Sequence, residues 1–303
     1  MLEFKPITLD SADNIIKYLG YKESRTCDST IGSLFMWRDY YKSEYAIYND
    51  MLYMKVIFAE NENRFIVPIG EHTMKSSMPV LEEYANENNL SLSFVAVPEE
   101  ALNKLKDYYQ NQLEYVSDRD MSDYLYLAED LSELKGRRYS GQRNHINKFK
   151  KLYPDYKYVK MDSENITRVM DFYEEYSKNM VKTMETAIEE NERTLEILPF
   201  LDKFYMSGGF IEVDGKIIAI SAGEIIKDTL YVHIEKALKE YPGSYQMIMN
   251  EFAKHNVFEQ VVYINREDDA GDLGLRTSKL SYHPCKIMDK YTVIIKNSST
   301  IHN

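Results

Sequence analysis

The sequence predicts an α+β protein of two domains, each a mixed, mostly antiparallel sheet flanked by helices. Three observations lead to this fold class. The chain has 303 residues, which suits two domains of roughly 150 residues better than one. Apolar runs with strand character and amphipathic helical segments occur in both halves. The order of these elements in the second half repeats the order in the first, although the two halves share no visible sequence identity.

The bulk composition supports packed cores beneath an acidic surface. The hydrophobic share of 44% is sufficient for two cores, and the 26 tyrosines and 15 methionines favour amphipathic packing over disorder. The formal net charge is −12, so the surface as a whole repels nucleic acids and anionic membranes. A polyanionic partner therefore requires a local patch of positive charge.

Cysteine and histidine usage gives no metal motif. Cys27 and Cys285 are far apart, and the six histidines are scattered without an HExxH or paired spacing. We expect reduced thiols in a cytoplasmic protein and no metal site. The start MLEFKPITLD has no charged residues followed by an apolar core, so we expect no secretory signal. No apolar run approaches the ~20 residues of a bilayer span, so we expect no transmembrane segment.

The first half of the sequence predicts a strand, two helices, a three-stranded meander and a helix–strand–helix–strand series. Residues 3–8 form the strand, Asp10-Ser11 opens the first helix, and the aromatic segment Thr30–Tyr41 forms the second helix or a helical turn. Asn49-Asp50 signals a tight turn in the meander. The other elements are predicted over Glu44–Tyr48, Met51–Ala59, Arg64–Ile69, Met78–Asn89, Leu92–Val97, a helix opened by Pro98-Glu99-Glu100, and strands at Tyr115 and Tyr124–Leu127.

The segment Asp130–Gly136 marks the predicted domain boundary, with an N-terminal domain of residues 1–130 and a C-terminal domain of residues 131–303. The second half follows the same order, and Gly208-Gly209 is expected to end its second helix. Tight turns are predicted at Asp214-Gly215 and Lys227-Asp228. The elements are predicted over Tyr156–Met161, Ser163–Met180, Ala187–Met206, Phe210–Val213, Lys216–Ile226, Thr229–Lys236, Ser244–His255, Val261–Asn265, Asp272–Leu280 and Lys286–Ile295, before a polar tail after Asn297.

A basic segment follows the boundary. Residues 135–151 contain seven lysines and arginines and no acidic residue. The spacing predicts a helix with Ile146 and Phe149 turned inward and the basic groups outward. One interpretation is a solvated basic face, and the other is a surface that binds phosphate or RNA. The binding residues in the second interpretation are Arg137, Arg138, Arg143, Asn144 and Lys148.

The stretch Tyr263–Pro284 is the predicted centre of the molecule. A short apolar strand ends there in a run of polar residues, and a turn with Gly271 and Gly274 follows. Polar groups just past the carboxyl end of a strand commonly build a site, because a rigid scaffold holds them on an exposed rim. The alternative is an ordinary connection whose charges face water and pair with each other. The polar residues concerned are Asn265, Arg266, Glu267, Asp268, Asp269, Arg276, Lys279 and Tyr282.

The meander–loop–helix–strand–helix–strand order is the one found in the acetyltransferase-like (GNAT) fold. In that fold the loop before the helix holds the pyrophosphate of the donor on backbone N–H groups. The corresponding residues 235–245 contain one glycine and two lysines, without the usual arginine or glutamine followed by paired glycines. An anion-binding loop and a plain turn before a helix both fit. The donor-binding candidates in this loop are Lys236, Gly243, Ser244 and Tyr245.

Three patches of the second half carry a resemblance to a known family: YINREDDAGDLGLRTSKLSYHP, HIEKALKEYPGSYQMIMNEFA and GRRYSGQRNHINKFKK. They resemble an uncharacterised bacterial family named for the C-terminal, cytoplasmic part of phosphatidylglycerol lysyltransferase. That family is similar in architecture to the Fem-type aminoacyl-tRNA-dependent peptidyltransferases, so the resemblance implies two tandem GNAT-like domains. The lysyltransferases add a multi-span membrane region that we do not find in this sequence, and we therefore expect a soluble acceptor.

The resemblance implies an acyl- or aminoacyltransferase whose second domain is active. The donor would be acyl-CoA or aminoacyl-tRNA, bound where the strands Tyr231–Lys236 and Val261–Asn265 splay apart, without a covalently bound cofactor. The acceptor would be an amine on a small molecule or a peptide. Such a transfer requires a neutral amine, donors to the carbonyl oxygen and close placement of both partners. The basic segment favours tRNA as the donor.

Each of these requirements has candidate residues in the second half. Glu235, Glu267 and Asp268 are candidates to take the proton of the amine, directly or through water. Tyr282 is the candidate donor to the leaving group. His233 is a weaker candidate, since a histidine within a strand is commonly a core residue with satisfied hydrogen bonds. The candidates for contacts with a phosphate or carboxylate are Asn265, Arg276 and Lys279.

Two alternatives from other functional classes stay open. The first is a non-catalytic GNAT-like module in which the same pocket binds an anionic metabolite or a partner. We expect the first domain to be such a case, because Ile69-Gly70-Glu71 offers no recognisable anion loop. The second is an RNA-binding protein that uses residues 135–151 alone, against which the overall acidity of the chain argues.

Overall fold

The computed structural model describes residues 2–58, 62–110, 112–178 and 185–296. The chain divides into two compact units. One is formed by Met1–Asp123 together with Met288–Asn303, and the other by Tyr124–Ile287. Two seven-stranded sheets with flanking helices account for the described strands, and the predicted α+β fold class is confirmed.

The first unit contains a sheet and four helices in its N-terminal segment. Its strands there are β1 (Lys5–Pro6), β2 (Glu44–Tyr48), β3 (Met51–Phe58), β4 (Glu62–Gly70), β5 (Ser93–Pro98) and β6 (Leu113–Ser117). Its helices are α1 (Ala12–Leu19), α2 (Ile31–Met36), α3 (Met74–Glu87) and α4 (Glu99–Tyr108). The apolar faces of α3 and α4 pack with the inner faces of the strands into one core around Phe65 and Phe94, neither of which is exposed to solvent.

The elements that follow in the chain form the second unit, except β14, which belongs to the first. The strands are β7 (Asp123–Leu127), β8 (Lys157–Lys160), β9 (Met206–Val213), β10 (Lys216–Ile226), β11 (Thr229–Ala237), β12 (Tyr263–Asn265), β13 (Lys286–Met288) and β14 (Lys290–Ile295). The helices are α5 (Ala128–Glu133), α6 (Ser140–Leu152), α7 (Ile166–Lys178), α8 (Glu185–Ile197), α9 (Ser244–Asn256) and α10 (Leu273–Leu280). Helix α9 is buried along most of its length and lies at the centre of the second core.

The two sheets are built on the same plan. The first has the strand order β1-β2-β3-β4-β5-β14-β6, and the second β13-β7-β12-β11-β10-β9-β8. In each, an antiparallel meander of three strands is followed by a helix and by a strand that pairs in parallel with the last meander strand. This is the acetyltransferase-like order that the sequence predicted, and it occurs twice in tandem.

The predicted tight turns of the meanders are confirmed by the backbone. Asn49 and Asp50 have φ values of +47° and +52°, and Asp214 and Gly215 have φ values of +50° and +78°. Two successive residues with positive φ give a turn whose twist matches that of the flanking strands. These turns fix the register of the strands that they join, β2 with β3 and β9 with β10.

Two predicted strands, one on the N-terminal side of the predicted boundary and one at residues 286–295, depart from the predicted topology. The final strand, expected over Lys286–Ile295 in the second domain, is two strands in different sheets. β13 pairs with β7 in the second sheet, whereas β14 lies between β5 and β6 in the first. Conversely, the strand Tyr124–Leu127, expected to end the first domain, belongs to the second sheet as part of β7. Local hydrophobic pattern predicts a strand but not its partner, because pairing is set by contacts distant in sequence.

The second long helix of the second half was predicted wrongly at its end. The helix α8 ends at Ile197 and not at Met206, where the sequence predicted its end. Pro199 follows in a short 3₁₀ turn. Gly208 and Gly209, expected to end this helix, lie within β9. A Cβ at Gly209 would overlap the ring of Tyr158 on the neighbouring β8, so glycine serves here to admit that ring into the sheet. The predicted ends at Ala59 and Met180, and the tail after Asn297, lie outside the described residues.

A buried lysine holds β14 in the first unit. The Lys290 ammonium lies 2.9 Å from Oδ1 of Asp123 and 3.1 Å from Oδ2 of Asp28, and Sγ of Cys27 is 3.9 Å away. The side chains of Lys290 and Asp123 are 3% and 0% exposed. The carboxylates and the thiol lie within 4.8 Å of one another, and the ammonium supplies the positive charge between them. Such a pair is costly to break, because the partner left behind is a buried charge.

We expect Lys290→Met to lower the free energy of unfolding by about 3–5 kcal/mol, since it leaves Asp123 buried without this cation. Lys296→Ala is the matched control, because Lys296 pairs with Glu114 at the surface, where such pairs contribute at most about 1 kcal/mol. Urea denaturation followed by circular dichroism measures both changes. Equal effects of the two substitutions would show that the buried pair does not stabilise the first unit.

Candidate functional site

The site begins where β11 and β12 part. These parallel strands pair at Thr229 with Tyr263, Leu230 with Ile264 and Tyr231 with Asn265. β12 ends at Asn265, whereas β11 continues to Ala237. The backbone pairing of these two strands therefore ends at Tyr231 and Asn265, and we call the unpaired stretch beyond these residues the gap. The predicted splaying of the strands there stays a prediction. Side chains of β11 and of the segment after β12 meet across the gap.

His233 lies at the start of the gap because of a β-bulge. In the pairing of β10 with β11, Ala222 is opposite Ile234 and Gly223 is opposite Val232, which leaves His233 as the extra residue. A bulge of this kind redirects one side chain without ending the strand. The redirected imidazole donates from Nδ1 to Oε1 of Glu267 at 2.7 Å and from Nε2 to Oε1 of Glu224 at 2.9 Å.

His233 is held as an imidazolium between these two carboxylates. Burial by itself lowers the pKa of a histidine, and the side chain of His233 is fully buried. The hydrogen bonds to Glu224 and Glu267 outweigh this effect and raise the pKa to about 9. Both ring nitrogens therefore carry protons at neutral pH. The sequence indicated a satisfied core histidine as the more common role, but the charge and the contact with Glu267 make His233 part of the site.

Arg266 and Glu235 form the second contact across the gap. Nη2 of Arg266 donates to Oε1 of Glu235 at 2.6 Å, and the two side chains are 9% and 15% exposed. Burial acts against the charge of Arg266, but Glu235 more than compensates and raises the pKa of the guanidinium. The ring of Tyr282 lies 5.0 Å from Cζ of Arg266, and that of Tyr126 lies 5.9 Å away. The guanidinium is thus fixed between a carboxylate and two aromatic rings.

One nitrogen of Arg266 has no hydrogen-bond partner among the described residues. This nitrogen, Nη1, is buried. Ser221 Oγ is likewise buried and makes no hydrogen bond with a described residue. Ser221 is directly opposite Glu235 in the sheet, so the side chains of Ser221 and Glu235 lie on one face. Buried polar groups are normally paired, and exceptions in a native protein often mark functional positions. Two such atoms next to Glu235 indicate a polar binding position.

Polar side chains hold the backbone of the segment after β12 in place. Oδ1 of Asn265 accepts from the backbone N–H of Glu267 at 2.6 Å, and Glu267 has a φ of +57°. Lys279 donates to the carbonyl oxygens of Arg266, at 2.5 Å, and Asp268. A non-glycine residue with positive φ persists only where its surroundings hold it. Here the amide and the ammonium do so.

Asp269 and Arg276 complete this support. The guanidinium of Arg276 donates to both carboxylate oxygens of Asp269, at 2.9 and 2.6 Å, and the hydroxyl of Tyr124 donates to the same carboxylate at 2.5 Å. Burial acts against the charge, but these hydrogen bonds and one from the Gly271 N–H lower the pKa of Asp269 to about 2. Arg276 and Lys279, predicted as ligand-binding residues, thus both have partners within the protein. Their predicted role stays a prediction.

The other predicted catalytic residues lie close to this support. The carboxylate of Asp268 accepts from the backbone N–H of Ala270 at 3.1 Å in the turn after Glu267. Tyr282 is buried beside Arg266, and burial raises the pKa of its hydroxyl. The structure therefore places Glu235 and Tyr282 against Arg266 and Glu267 against His233, with Asp268 in the turn after Glu267.

The predicted donor loop before α9 is packed by protein contacts. Nζ of Lys236 lies 2.5 Å from Glu190 on α8, and Ser244 Oγ donates to the carbonyl oxygen of Leu238 at 2.9 Å. The hydroxyl of Tyr245 is 3.3 Å from that of Tyr176. Gly243 has a φ of +91°, and a Cβ there would come within 2.6 Å of the carbonyl oxygen of His145 on α6. Only glycine allows α9 to start this close to α6.

The basic segment forms α6 and the turn before it. Ile146 and Phe149 are buried, which confirms the predicted orientation of the helix. Arg138 pairs with Asp130 at 2.6 Å, and Arg143 donates to the carbonyl oxygens of Leu134 and Gly136 at the end of α5. The exposed polar residues of this surface include Arg137, Asn144, Lys148, Lys150 and Lys151. Arg138 and Arg143, two of the arginines predicted to bind phosphate or RNA, thus have partners within the protein. The lysines of α6 are exposed to solvent.

Sequence reasoning missed two residues of the site. Arg266 was grouped with the polar run after β12 but given no role, and Glu224 was not singled out. A charged residue within the otherwise apolar run Ile217–Ile226 was the available signal for Glu224, because a buried acid in a central strand needs a partner. Nothing in the sequence pairs it with His233, since the bulge that joins them is not visible there.

The first unit has a cavity at the corresponding place. A cleft of about 930 Å³, partly open to solvent, lies beyond the point where β4 and β5 pair in parallel at Phe65 and Phe94. The wall includes Ala96, whose φ of +54° is unusual for a residue within a strand. The charged lining residues are Lys22, Glu23, Glu71, Lys75, Glu100, Lys104 and Asp107. The expectation that this domain is inactive stays a prediction.

The hydrogen bonds of His233 with Glu224 and Glu267 predict that the free energy of unfolding depends on pH. The pKa rises from 6.5 in the unfolded chain to about 9 in the folded protein, so folding binds the proton more tightly. The resulting stabilisation of about 3 kcal/mol is complete below pH 6.5 and is lost as the pH rises through 9. We expect His233→Gln to remove this part of the pH dependence between pH 7 and 10. Unfolding free energies from urea titrations at both pH values measure it.

The control for this prediction is His145→Gln, which replaces an exposed imidazole on α6. It should leave the pH dependence of the wild type unchanged, including the part due to lysines and tyrosines. The same fall in stability from pH 7 to 10 in wild type and His233→Gln would mean that His233 is not held as a cation.

None of the helices in the described part of the chain combines the length and apolar composition of a membrane span.

The chain is 24% identical over 186 residues to an uncharacterized protein of Mycoplasmoides gallisepticum, a match that covers 57% of this chain and 56% of that protein. The chain thus spans about half the length of this curated relative. A conserved protein of unknown function from Bacteroides thetaiotaomicron is more similar, with 34% identity, a TM-score of 0.91, and coverage of 98% of this chain and 100% of that chain.

Two more distant structures share the fold. L-PGS from Bacillus licheniformis has 12% identity and a TM-score of 0.65, with coverage of 95% of this chain and 93% of that chain. FemX has 8% identity and a TM-score of 0.61, with coverage of 97% and 98%. The predicted resemblance is confirmed on sequence as well. Residues 21–294 match the family model described as phosphatidylglycerol lysyltransferase, C-terminal, and the chain belongs to that family.

Proposed function

We propose that the second unit transfers an aminoacyl group from an aminoacyl-tRNA to an amine acceptor. Membership of the phosphatidylglycerol lysyltransferase C-terminal family supports an activity of the aminoacyltransferase type. The observation that carries the proposal is Arg266 beside the parted strands. Its guanidinium is buried, charged and rigid, and Nη1 has no acceptor among the described residues. A fixed cationic donor of this kind is what an acyl-transfer reaction requires at its carbonyl oxygen.

The reaction itself is the aminolysis of an ester. The nitrogen of the acceptor attacks the carbonyl carbon of the aminoacyl ester, and the carbonyl oxygen becomes negatively charged. The C–O bond to the tRNA ribose then breaks as the new C–N bond is completed. The amine loses one proton and the ribose oxygen gains one, so the reaction needs no outside oxidant or reductant.

The residues around the gap have distinct roles in this proposal. Nη1 of Arg266 donates to the developing oxyanion, and Glu235 holds the guanidinium in place. Glu267 takes the proton of the amine, because its side chain is 26% exposed, whereas Glu224, the other carboxylate bound to His233, is 4% exposed. Tyr282 packs on Arg266, and its predicted role as donor to the leaving oxygen stays a prediction.

The charge balance of the gap favours an amine as the acceptor. The carboxylates of Glu224, Glu235 and Glu267 outnumber the cations His233 and Arg266. An ammonium group is therefore attracted into the gap and an anion is repelled. This argues against the alternative of a non-catalytic second unit that binds an anionic metabolite at the same place.

The contacts of the loop before α9 favour tRNA over CoA as the donor. Lys236 is neutralised by Glu190, and the backbone at Gly243 is packed against α6. These two features leave little of the cation and N–H pattern that holds a pyrophosphate. The exposed lysines of α6, by contrast, provide a surface for a phosphate backbone.

We expect Arg266→Lys to slow transfer by a factor of about 10²–10³, because the lysine cannot both pair with Glu235 and reach the oxyanion. The assay follows amine-dependent loss of the labelled aminoacyl group from tRNA under single-turnover conditions, with a panel of amines as acceptors. Arg168→Lys is the control, since Arg168 pairs with Glu212 in an exposed position and should keep the wild-type rate.

The same assay separates the enzyme from a binding module. Glu267→Ala together with Asp268→Ala should abolish transfer while tRNA binding persists. Binding of aminoacyl-tRNA without transfer to any amine would favour the non-catalytic module, and failure to bind aminoacyl-tRNA, CoA and acetyl-CoA in calorimetric titrations would overturn the proposal.

A further prediction concerns the exposed surface of α6. Replacing Lys148 and Lys150 by alanine should weaken tRNA binding and lower the slope of log K against log salt by about 1.4–1.8, because each phosphate contact contributes roughly 0.7–0.9. The transfer rate at saturating tRNA should not change. Lys216→Ala is the control, an exposed lysine at the start of β10. Equal salt slopes in wild type and the double variant would remove α6 from the tRNA site.

A further inference from the structure

The first unit has a cleft that the proposed reaction leaves without a role. Every residue that lines this cleft belongs to the first unit, and its volume next to β4 and β5 is about 930 Å³. Ligand pockets in proteins commonly measure about 300–1,000 Å³. The cleft is therefore large enough to hold a ligand of its own.

Each of the two strands beside the cleft has a β-bulge there. Among the described residues, β4 and β5 share one residue pair. Beyond it, residues 67–68 of β4 lie opposite the single residue Tyr53 of β3, and residues 95–96 of β5 lie opposite Thr292 of β14. A bulge bends its strand, and bulges are frequent beside functional sites. The φ of +54° at Ala96 in the second bulge is of the unfavourable kind that clusters at such sites.

The backbone of both strands has no strand partner on the side of the cleft. Beyond their shared pair, β4 continues over residues 66–70 and β5 over residues 95–98. The other sides of these strands are occupied by β3 and β14. None of these residues has a polar side chain. Their side chains therefore cannot bridge the opening as those of His233 and Arg266 do in the second unit.

The backbone groups on these two edges determine which ligand fits. The N–H and C=O groups of a strand point alternately to its two sides, so each stretch presents a row of donors and acceptors to the cleft. Backbone polar groups that are shielded from water require partners. An extended peptide repeats N–H and C=O at the spacing of a strand, and it binds to free strand edges for this reason.

We propose that the cleft of the first unit binds an extended peptide of about five residues, which adds as a strand to the free edges of β4 and β5. The length follows from the free stretch of β4, residues 66–70. The half-buried side chains of Val67, Ile69, Met74 and Ala101 line the cleft and favour apolar or small side chains in the peptide.

The charges of the cleft fit a peptide with little net charge. Three lysines and four acidic residues line it, so the lining has no strong excess of either sign. A highly charged anion or cation therefore gains little attraction there. The inference goes beyond the proposed function and does not depend on it, because binding to the first unit requires no transfer.

The test begins with a synthetic library of capped pentapeptides that carry apolar and small side chains. Affinity selection on the full chain identifies the peptides that bind, and isothermal titration calorimetry measures their affinity. We expect N-methylation of two alternate amides in a binding peptide to weaken binding by a factor of about 10–100, because it removes N–H donors and keeps every side chain. Amide hydrogen exchange of the protein should slow on binding within residues 66–70 or 95–98.

A pair of variants on α4 locates the binding position. Ala101→Trp fills the cleft and should weaken peptide binding by a factor of about 10 or more, because the indole occupies the space of the peptide. Asn103→Trp is the matched control, since Asn103 is exposed on the same helix and does not line the cleft. It should bind the peptide like the wild type. If Ala101→Trp does not fold, the N-methylated peptides and hydrogen exchange decide on the wild type alone.

Three outcomes would overturn the inference. The first is a library without any peptide that binds at about 1 mM. The second is binding that N-methylation leaves unchanged, because the peptide backbone then does not pair with the strands. The third is binding of CoA or decanoate in place of the peptides, weakened by Ala101→Trp, which would assign the cleft to another class of ligand. The proposed function is tested separately, by transfer from aminoacyl-tRNA to amines, and each result stands without the other.

Discussion

The second unit depends on charge pairs placed across the line where its parallel strands separate. β11 and β12 are joined by backbone hydrogen bonds over three residue pairs, and beyond them the connection is made by side chains, His233 to Glu267 and Arg266 to Glu235. In a continuous sheet the ladder would satisfy these polar groups. Here ionised side chains take over part of that task, and they can do so only as matched pairs, because an isolated charge at this depth is unfavourable. The gap and its charges are therefore one feature.

The support beneath the gap explains why so many polar residues follow β12. Asp269, Arg276 and Lys279 contact protein atoms, and together they hold the backbone from Arg266 to Gly271 in a course that includes a positive φ at Glu267. A reactive group must be held within a fraction of an ångström of its working position, and residues that never contact substrate commonly provide this. The polar run thus divides into residues that face the gap and residues that fix the backbone below them.

The sequence predicted features that depend on local chemistry. The turn at Asn49-Asp50 and the amphipathic helix carrying Ile146 and Phe149 could be recognised, because each rests on residues near one another in the chain. The partners of β7 and β14 could not, since their apolar patterns fit either sheet. In the candidate site, Glu267 was proposed from the polar cluster after the strand and Glu235 from the segment of residues 235–245, whereas the link from His233 to Glu224 depends on a bulge that has no sequence signature. The proposed role of Arg266 rests on its burial, which a hydrophilic run does not reveal.

The position of β14 has a consequence for the synthesis of this protein. Because β14 is inserted between β5 and β6 and follows the whole second unit in the sequence, the first sheet is complete only when a strand C-terminal to the second unit has joined it. Until then β5 and β6 present open edges, which are templates for unwanted association. The second unit, whose strands are nearly contiguous in the chain, can form earlier. The first unit is therefore the later of the two to finish folding, and these edges stay open while the second unit is translated.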